Sequence, residues 1–183
     1  HRLLFDRAKL LQVTDGLDSL CGLPDPLGKT SYAEEITDGL SLYRVSCPIG
    51  VIGVIFESRP DALIQIASLC IKSGNAVLLK GGREALRTNQ VLCSCVREAL
   101  SECGLPADAA QLLESREDVQ SMLKEDQLID LIIPRGSSQF VRYIMDNSRI
   151  PVLGHSDGIC HVYIDESADP EMAVKVALDS KDS

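Results

Sequence analysis

Hydrophobic positions change their rhythm along the chain. In residues 2–20, "RLLFDRAKLLQVTDGLDSL", Leu3, Leu4, Leu10 and Leu11, with the stem of Arg7, recur at helical spacing and predict a helix. A Gly/Pro-rich turn, "GLPDPLGK", and a polar extended segment, "EEITDGLSLYRVS", come next, so residues 1–46 read as a leading arm. After Pro48 the character changes. "IGVIGVIF" is a β-branched run without alternation, the pattern of a strand buried on both faces of a parallel sheet.

From there strands and helices alternate. Ile49–Phe56 reads as a strand, and Pro60–Lys72 as a helix with Ala62, Leu63, Ile66, Ala67 and Cys70 on one face, opened by Pro60 and closed near Gly74. Ala76–Leu79 is the next strand. Glu84–Cys103 is a long amphipathic helix whose stripe is Ala85, Asn89, Leu92, Val96, Ala99 and Cys103. Gln111–Leu113, Leu128–Ile133, Pro151–Leu153 and Cys160–Ile164 read as strands; Arg116–Lys124, Ser137–Asn147 and Pro170–Leu178 read as helices. Strands joined through helices imply right-handed crossovers, hence an α/β fold with a mostly parallel sheet and helices on both faces. Ligands in such open sheets sit beyond the carboxyl ends of the strands.

With 183 residues and 45% hydrophobic composition, the chain can bury about two-thirds of its unfolded surface and be globular. Its net charge of -9 argues against a nucleic-acid partner, which would demand clustered Lys and Arg. A small anionic ligand held by local cations stays compatible with that charge. No apolar run approaches the roughly 20 residues that span a bilayer, and the N-terminal stretch lacks a signal-peptide core, so neither a membrane nor secretion is expected. Seven cysteines without a C-x-x-C pair read as small buried hydrophobes of a reducing compartment, and no metal site is expected.

Three strand ends carry a cation beside small residues. In "LLKGGREA" the amides near Gly81 and Gly82 can face an anion while Lys80 supplies a point charge; the alternative is a plain glycine turn with a solvated lysine. In "IIPRGSSQF", Arg135 sits between a proline and a glycine, with Ser137 or Ser138 as the helix N-cap. "ESRP" carries Arg59. Neither G-x-x-x-x-G-K-[ST] nor G-x-G-x-x-G is present, so the phosphate-rich ligand that these ends suggest is not met by a standard loop. In "PVLGHSDGICHVYID", His155 beside Asp157, with His161 following, suits general-base work, although Asp in such a bend also caps backbone.

Taken together, "CPIGVIGVIFESRPDALIQIASLCIKSGNAVLLKGGREA", "IDLIIPRGSSQFV" and "IPVLGHSDGICHVYID" resemble the gamma-glutamyl phosphate reductase (glutamate-5-semialdehyde dehydrogenase) family of the aldehyde dehydrogenase superfamily, which also occurs as the reductase half of delta-1-pyrroline-5-carboxylate synthase. The resemblance implies NADPH-dependent reduction of gamma-glutamyl phosphate to glutamate 5-semialdehyde in proline biosynthesis, through a cysteine thioester. It places Lys80 at the adenosine ribose of NADP and Gly136 and Ser137 at its pyrophosphate, with Gly81 and Gly82 in the same cofactor turn. Ser58 and Arg59 stand where related enzymes polarise a carbonyl, and with Arg135 and His155 they are the candidates for the substrate phosphate.

The resemblance further implies that residues 47–183 are the dinucleotide-binding domain, ending before the catalytic domain and its nucleophilic cysteine, so no catalytic residue is assigned. The full-length enzyme is expected to be a cytoplasmic homo-oligomer, or a mitochondrial one if it comes from a fused animal-type enzyme. The rival reading is a non-catalytic nucleotide-binding or assembly module.

Overall fold

The computed structural model describes residues 4–57, 59–154 and 161–182. Helix α1 (Arg7–Gly22) begins where the Asp6 carboxylate accepts the Lys9 amide at 3.0 Å, satisfying one of the first-turn donors. The helix therefore starts later than its leucine spacing predicts, and only Val13 is fully buried. Strands β1 (Thr30–Thr37) and β2 (Leu40–Val45) form an antiparallel hairpin turned at Asp38–Gly39, where Gly39 takes φ +79. The polar extended segment is thus two strands, exposed on both faces.

Strand β3 (Val51–Ile55) is followed by α2 (Pro60–Lys72), β4 (Ala76–Lys80), a 3-10 turn (Arg83–Ala85) and α3 (Leu86–Glu102). Then come β5 (Ala110–Leu112), α4 (Arg116–Met122), β6 (Leu131–Pro134), α5 (Ser138–Asn147) and α6 (Pro170–Asp182). Among the described residues the central sheet has four parallel strands in the order β5-β4-β3-β6. The chain steps outward from β3 to β4 to β5 and then returns to the other side of β3. That reversal opens a crevice above the carboxyl ends of β3 and β6.

The unbroken apolar run of β3 is explained by the two clusters it feeds. Ile52, Val54 and Phe56 point to one face, where Leu63, Ala67 and Cys70 of α2, Cys93 and Leu100 of α3, and Val13 of α1 pack. Ile55 points to the other, among Met122, Ile129, Ile132 and Ile144. Helices cover both faces, and each of these side chains is worth roughly 1.5–3 kcal/mol of burial. Gly53 is small because the Met122 thioether occupies the space that a Cβ would need.

Several expectations are corrected. Ala99 on α3 and Cys103 at its C-cap are exposed; the buried stripe is Asn89, Cys93 and Leu100, with Leu92 and Val96 half-buried against the same core. Of the described cysteines only Cys70 and Cys93 are buried; Cys21, Cys47, Cys95 and Cys103 are exposed. Leu128 and Ile129 precede β6, since the backbone there closes a turn on Glu125. Pro151–Leu153 contributes a single bridge, Ile132 to Val152, and residues 161–164 form no strand. Cys160 lies outside the described residues.

Candidate functional site

The carboxyl ends of the sheet are tied together by backbone bonds that continue the ladder: Phe56 N donates to Lys80 O at 2.9 Å, Leu113 N to Leu79 O at 2.8 Å, and Arg135 N to Ile55 O at 2.8 Å. The segments that leave β3, β4, β5 and β6 are thereby held at one level. Above them lies a cavity of about 580 Å³ lined by Phe56 and Glu57 after β3, Lys80 to Glu84 after β4, Arg116, Val119 and Gln120 of α4, and Phe140 and Tyr143 of α5. Its volume is in the range of small-molecule and cofactor sites.

Lys80 is the least ordinary residue in this wall. It is 8% exposed, and its Nζ donates to the Gly81 carbonyl at 2.7 Å. Among the described residues no carboxylate stands at ion-pair distance from it. Burial, then the charge of Arg83, holds the ammonium below the ordinary lysine range, while the charges of Asp118 and Glu84 oppose the shift. The solvated-lysine alternative is therefore wrong: this is a buried cation short of an anion.

The glycines follow from close approach. A Cβ on Gly81 would collide with the Asn89 amide and stand 3.2 Å from the Phe56 ring, and one on Gly82 would strike the Glu84 carboxylate. Asn89, on α3, is 1% exposed, and its Oδ1 is buried without a partner, so a polar side chain braces the turn from beneath. Gly136 has the Glu57 carboxylate 3.0 Å and the Phe140 ring 3.1 Å from where its Cβ would be, which places it at the cavity's far rim. Ser137 is the α5 N-cap, its hydroxyl accepting from Phe140 N at 3.3 Å.

The remaining candidates are not gathered here. Arg59 is exposed at the start of α2, with its carbonyl accepting from Ala62 N at 3.0 Å; Arg135 is exposed after β6. They follow adjacent strands, yet neither lines the cavity. Ser58, His155 and Asp157 lie outside the described residues, and His161 is exposed. Among the described residues no cluster of His, Cys, Asp or Glu can hold a metal ion, and no cysteine lines the cavity. Burial pushes the thiols of Cys70 and Cys93 up, away from the thiolate form.

Sequence reasoning missed Arg83, Arg116, Glu57 and Tyr143. Arg83 stands in "LLKGGREA" immediately ahead of the helix read at Glu84–Cys103. For Arg116 the available signal was the capping pair Ser115 and Asp118, which sets the first turn of α4 just past β5: Asp118 N donates to Ser115 Oγ at 3.0 Å and Ser115 N to Asp118 Oδ2 at 2.8 Å.

Comparison with known proteins agrees with this architecture. The model of the aldehyde dehydrogenase family matches residues 5–181, and the chain belongs to that family. It is 63% identical over 180 residues to gamma-glutamyl phosphate reductase of Acetivibrio thermocellus, covering 98% of this chain and 42% of that protein. Against the same-named protein of Haloquadratum walsbyi the identity is 55%, with 98% and 39% covered. The crystal structure of gamma-glutamyl phosphate reductase from Thermotoga maritima superposes with a TM-score of 0.89 at 37% identity, over 98% of this chain and 44% of that one. The chain thus spans about two-fifths of the length of the curated relatives it matches.

Proposed function

We propose that this chain, as a member of the aldehyde dehydrogenase family, forms the cofactor-holding part of a gamma-glutamyl phosphate reductase, binding NADPH for reduction of gamma-glutamyl phosphate to glutamate 5-semialdehyde in proline biosynthesis. The observation that carries the reading is Lys80, a buried ammonium resting on one carbonyl at the mouth of a cavity above the sheet's reversal point. A dinucleotide supplies what is missing there, an anion for Lys80 and a planar group for walls made of Phe56, Val119, Phe140 and Tyr143.

In this reading Lys80 and the Gly81–Gly82 turn hold the adenosine ribose, and Gly136 with Ser137 meets the pyrophosphate. When bound, the nicotinamide supplies hydride. The chain's described residues bind and orient; none is assigned as nucleophile. Arg59 and Arg135, after neighbouring strands, are the candidates for the substrate's phosphate, along with Ser58 and His155. The free cysteines Cys21, Cys47, Cys95 and Cys103, exposed and unpaired, fit a reducing compartment such as the cytoplasm. Exposed Tyr32, Ile36, Leu42 and Tyr43 on the hairpin support association of copies of the chain.

The second reading, a nucleotide-binding or assembly module without turnover, is favoured by the absence of any described cysteine from the cavity wall. Two measurements on the chain separate the possibilities: NADPH binding by fluorescence titration, and phosphate-dependent NADP reduction with glutamate 5-semialdehyde. Saturable binding with turnover supports the reductase; saturable binding alone supports the module. No saturable binding overturns the cofactor site.

A further inference from the structure

Asp-Gly occurs three times in the chain, at Asp15–Gly16, Asp38–Gly39 and Asp157–Gly158. The pair carries its own chemistry. A glycine has no Cβ to keep its amide nitrogen away from the carboxyl of the preceding aspartate, so the two can close a five-membered ring. The backbone around them decides whether they do. Asp157–Gly158 lies outside the described residues. Asp15–Gly16 stands in the middle of α1, where the hydrogen-bonded helix fixes the backbone. Asp38–Gly39 is placed differently: it is the two-residue turn between Thr37 and Leu40 at the tip of the hairpin.

The surroundings leave that turn free to react. Asp38 and Gly39 are exposed, as is every residue of β1 and β2. Gly39 takes φ +79, and nothing lies within 4 Å of where its Cβ would stand, so its peptide plane has room to rotate. The register shifts between Glu35 and Thr37, which loosens the ladder beside the turn. The Glu35 carboxylate opposes the rotation: its Oε1 accepts the Gly39 amide at 2.9 Å, and this bond has to break before the nitrogen can swing onto the Asp38 carboxyl.

We propose that Asp38–Gly39 is a site of spontaneous aspartate isomerisation and that the Glu35 carboxylate is the latch that slows it. The Gly39 nitrogen forms a bond to Cγ of the protonated Asp38 carboxyl, whose hydroxyl leaves with the amide proton as water. The resulting succinimide takes water back at one of its two carbonyls. Addition at the side-chain carbonyl returns aspartate; addition at the main-chain carbonyl leaves the chain running through Cγ, an isoaspartate with a free α-carboxylate. Water is released and regained, so the mass is unchanged and no oxidant is involved. The modified turn is one backbone atom longer, and the pairing that a two-residue turn fixes no longer fits it.

The test is ageing of the purified chain at physiological temperature and a fixed, mildly acid pH, with isoaspartate located by peptide mass spectrometry using electron-transfer fragmentation. A free peptide of residues 30–45, aged alongside, shows that the ring chemistry is proceeding. Isoaspartate should accumulate at residue 38 and not at residue 15. Glu35→Ala should speed its accumulation roughly two- to tenfold, the range that one net hydrogen bond allows. Glu35→Gln, which keeps an acceptor oxygen, should fall between that variant and the parent. Glu35 is exposed, so both variants should keep the parent's melting temperature. Absence of isoaspartate at residue 38 of the folded chain, while the peptide forms it, overturns the site. Equal accumulation at residue 15 overturns the role given to the turn, and a Glu35→Ala rate equal to the parent's overturns the latch.

Discussion

The Asp130 carboxylate accepts the Val51 amide at 2.8 Å through the space that a side chain on Gly50 would occupy, and Gly50 stands at φ +129. The entry to β3 is thus closed by two residues far apart in sequence. The same junction is fastened by Asn75, 5% exposed, whose Oδ1 accepts from Ile49 N at 2.7 Å and Gly50 N at 2.9 Å.

Gly50→Ala should therefore cost about 2–4 kcal/mol in urea unfolding, from a strained backbone plus displacement of Asp130. Asp130→Ala alone should cost about 1 kcal/mol for the lost bond. In the double variant the collision is gone, so the combined loss should fall short of the sum; strict additivity would show that the two residues do not meet.

Lys80→Met should weaken NADPH binding by at least about tenfold while the melting temperature holds or rises, because a buried ammonium without a carboxylate is removed. The sign with pH follows from the lowered pKa. Between the folded value and the ordinary lysine value the unfolded chain holds the proton more firmly, so stability rises with pH through that window. Differential scanning calorimetry should show the Lys80→Met advantage shrinking as pH climbs toward the ordinary lysine range.

Hydrogen bonds from Ser115 and Glu114 hold the Asp118 carboxyl below its usual range. A lowered carboxylate contributes stability above the unfolded Asp value and loses it as pH falls through the folded one. Asp118→Asn should thus be less stable than the parent at neutral pH, with the difference vanishing in acid. Ser115→Ala should cost about 1 kcal/mol at neutral pH. An unchanged acid limb in Asp118→Asn, followed by circular dichroism, would remove the capping box from the account.

Cysteine burial predicts a labelling pattern. With iodoacetamide at neutral pH, peptide mass spectrometry should find Cys21, Cys47, Cys95 and Cys103 modified in the folded chain, and Cys70 and Cys93 only after denaturation. Rapid labelling of Cys93 in the native state would contradict its place in the core between α3 and the sheet.

Elements whose side chains meet the same kind of neighbour throughout were legible from composition and spacing. The β-branched run at Val51–Ile55 is apolar on both faces because helices cover both, and Pro60, Gly74 and the face of Leu63, Ala67 and Cys70 bound α2 at Pro60–Lys72. The fold class and the turn at Lys80, Gly81 and Gly82 followed from such local patterns. Residues whose meaning depends on a partner elsewhere in the chain did not. Arg83 and Arg116 line one cavity only because β4 and β5 pair, Asn89 gains its place only when α3 lies beneath Gly81, and Arg59 and Arg135 fall outside the cavity although their strand ends looked equivalent. Periodicity reports what surface a residue faces; strand order and register, set by long-range packing, choose which strand ends share a ligand.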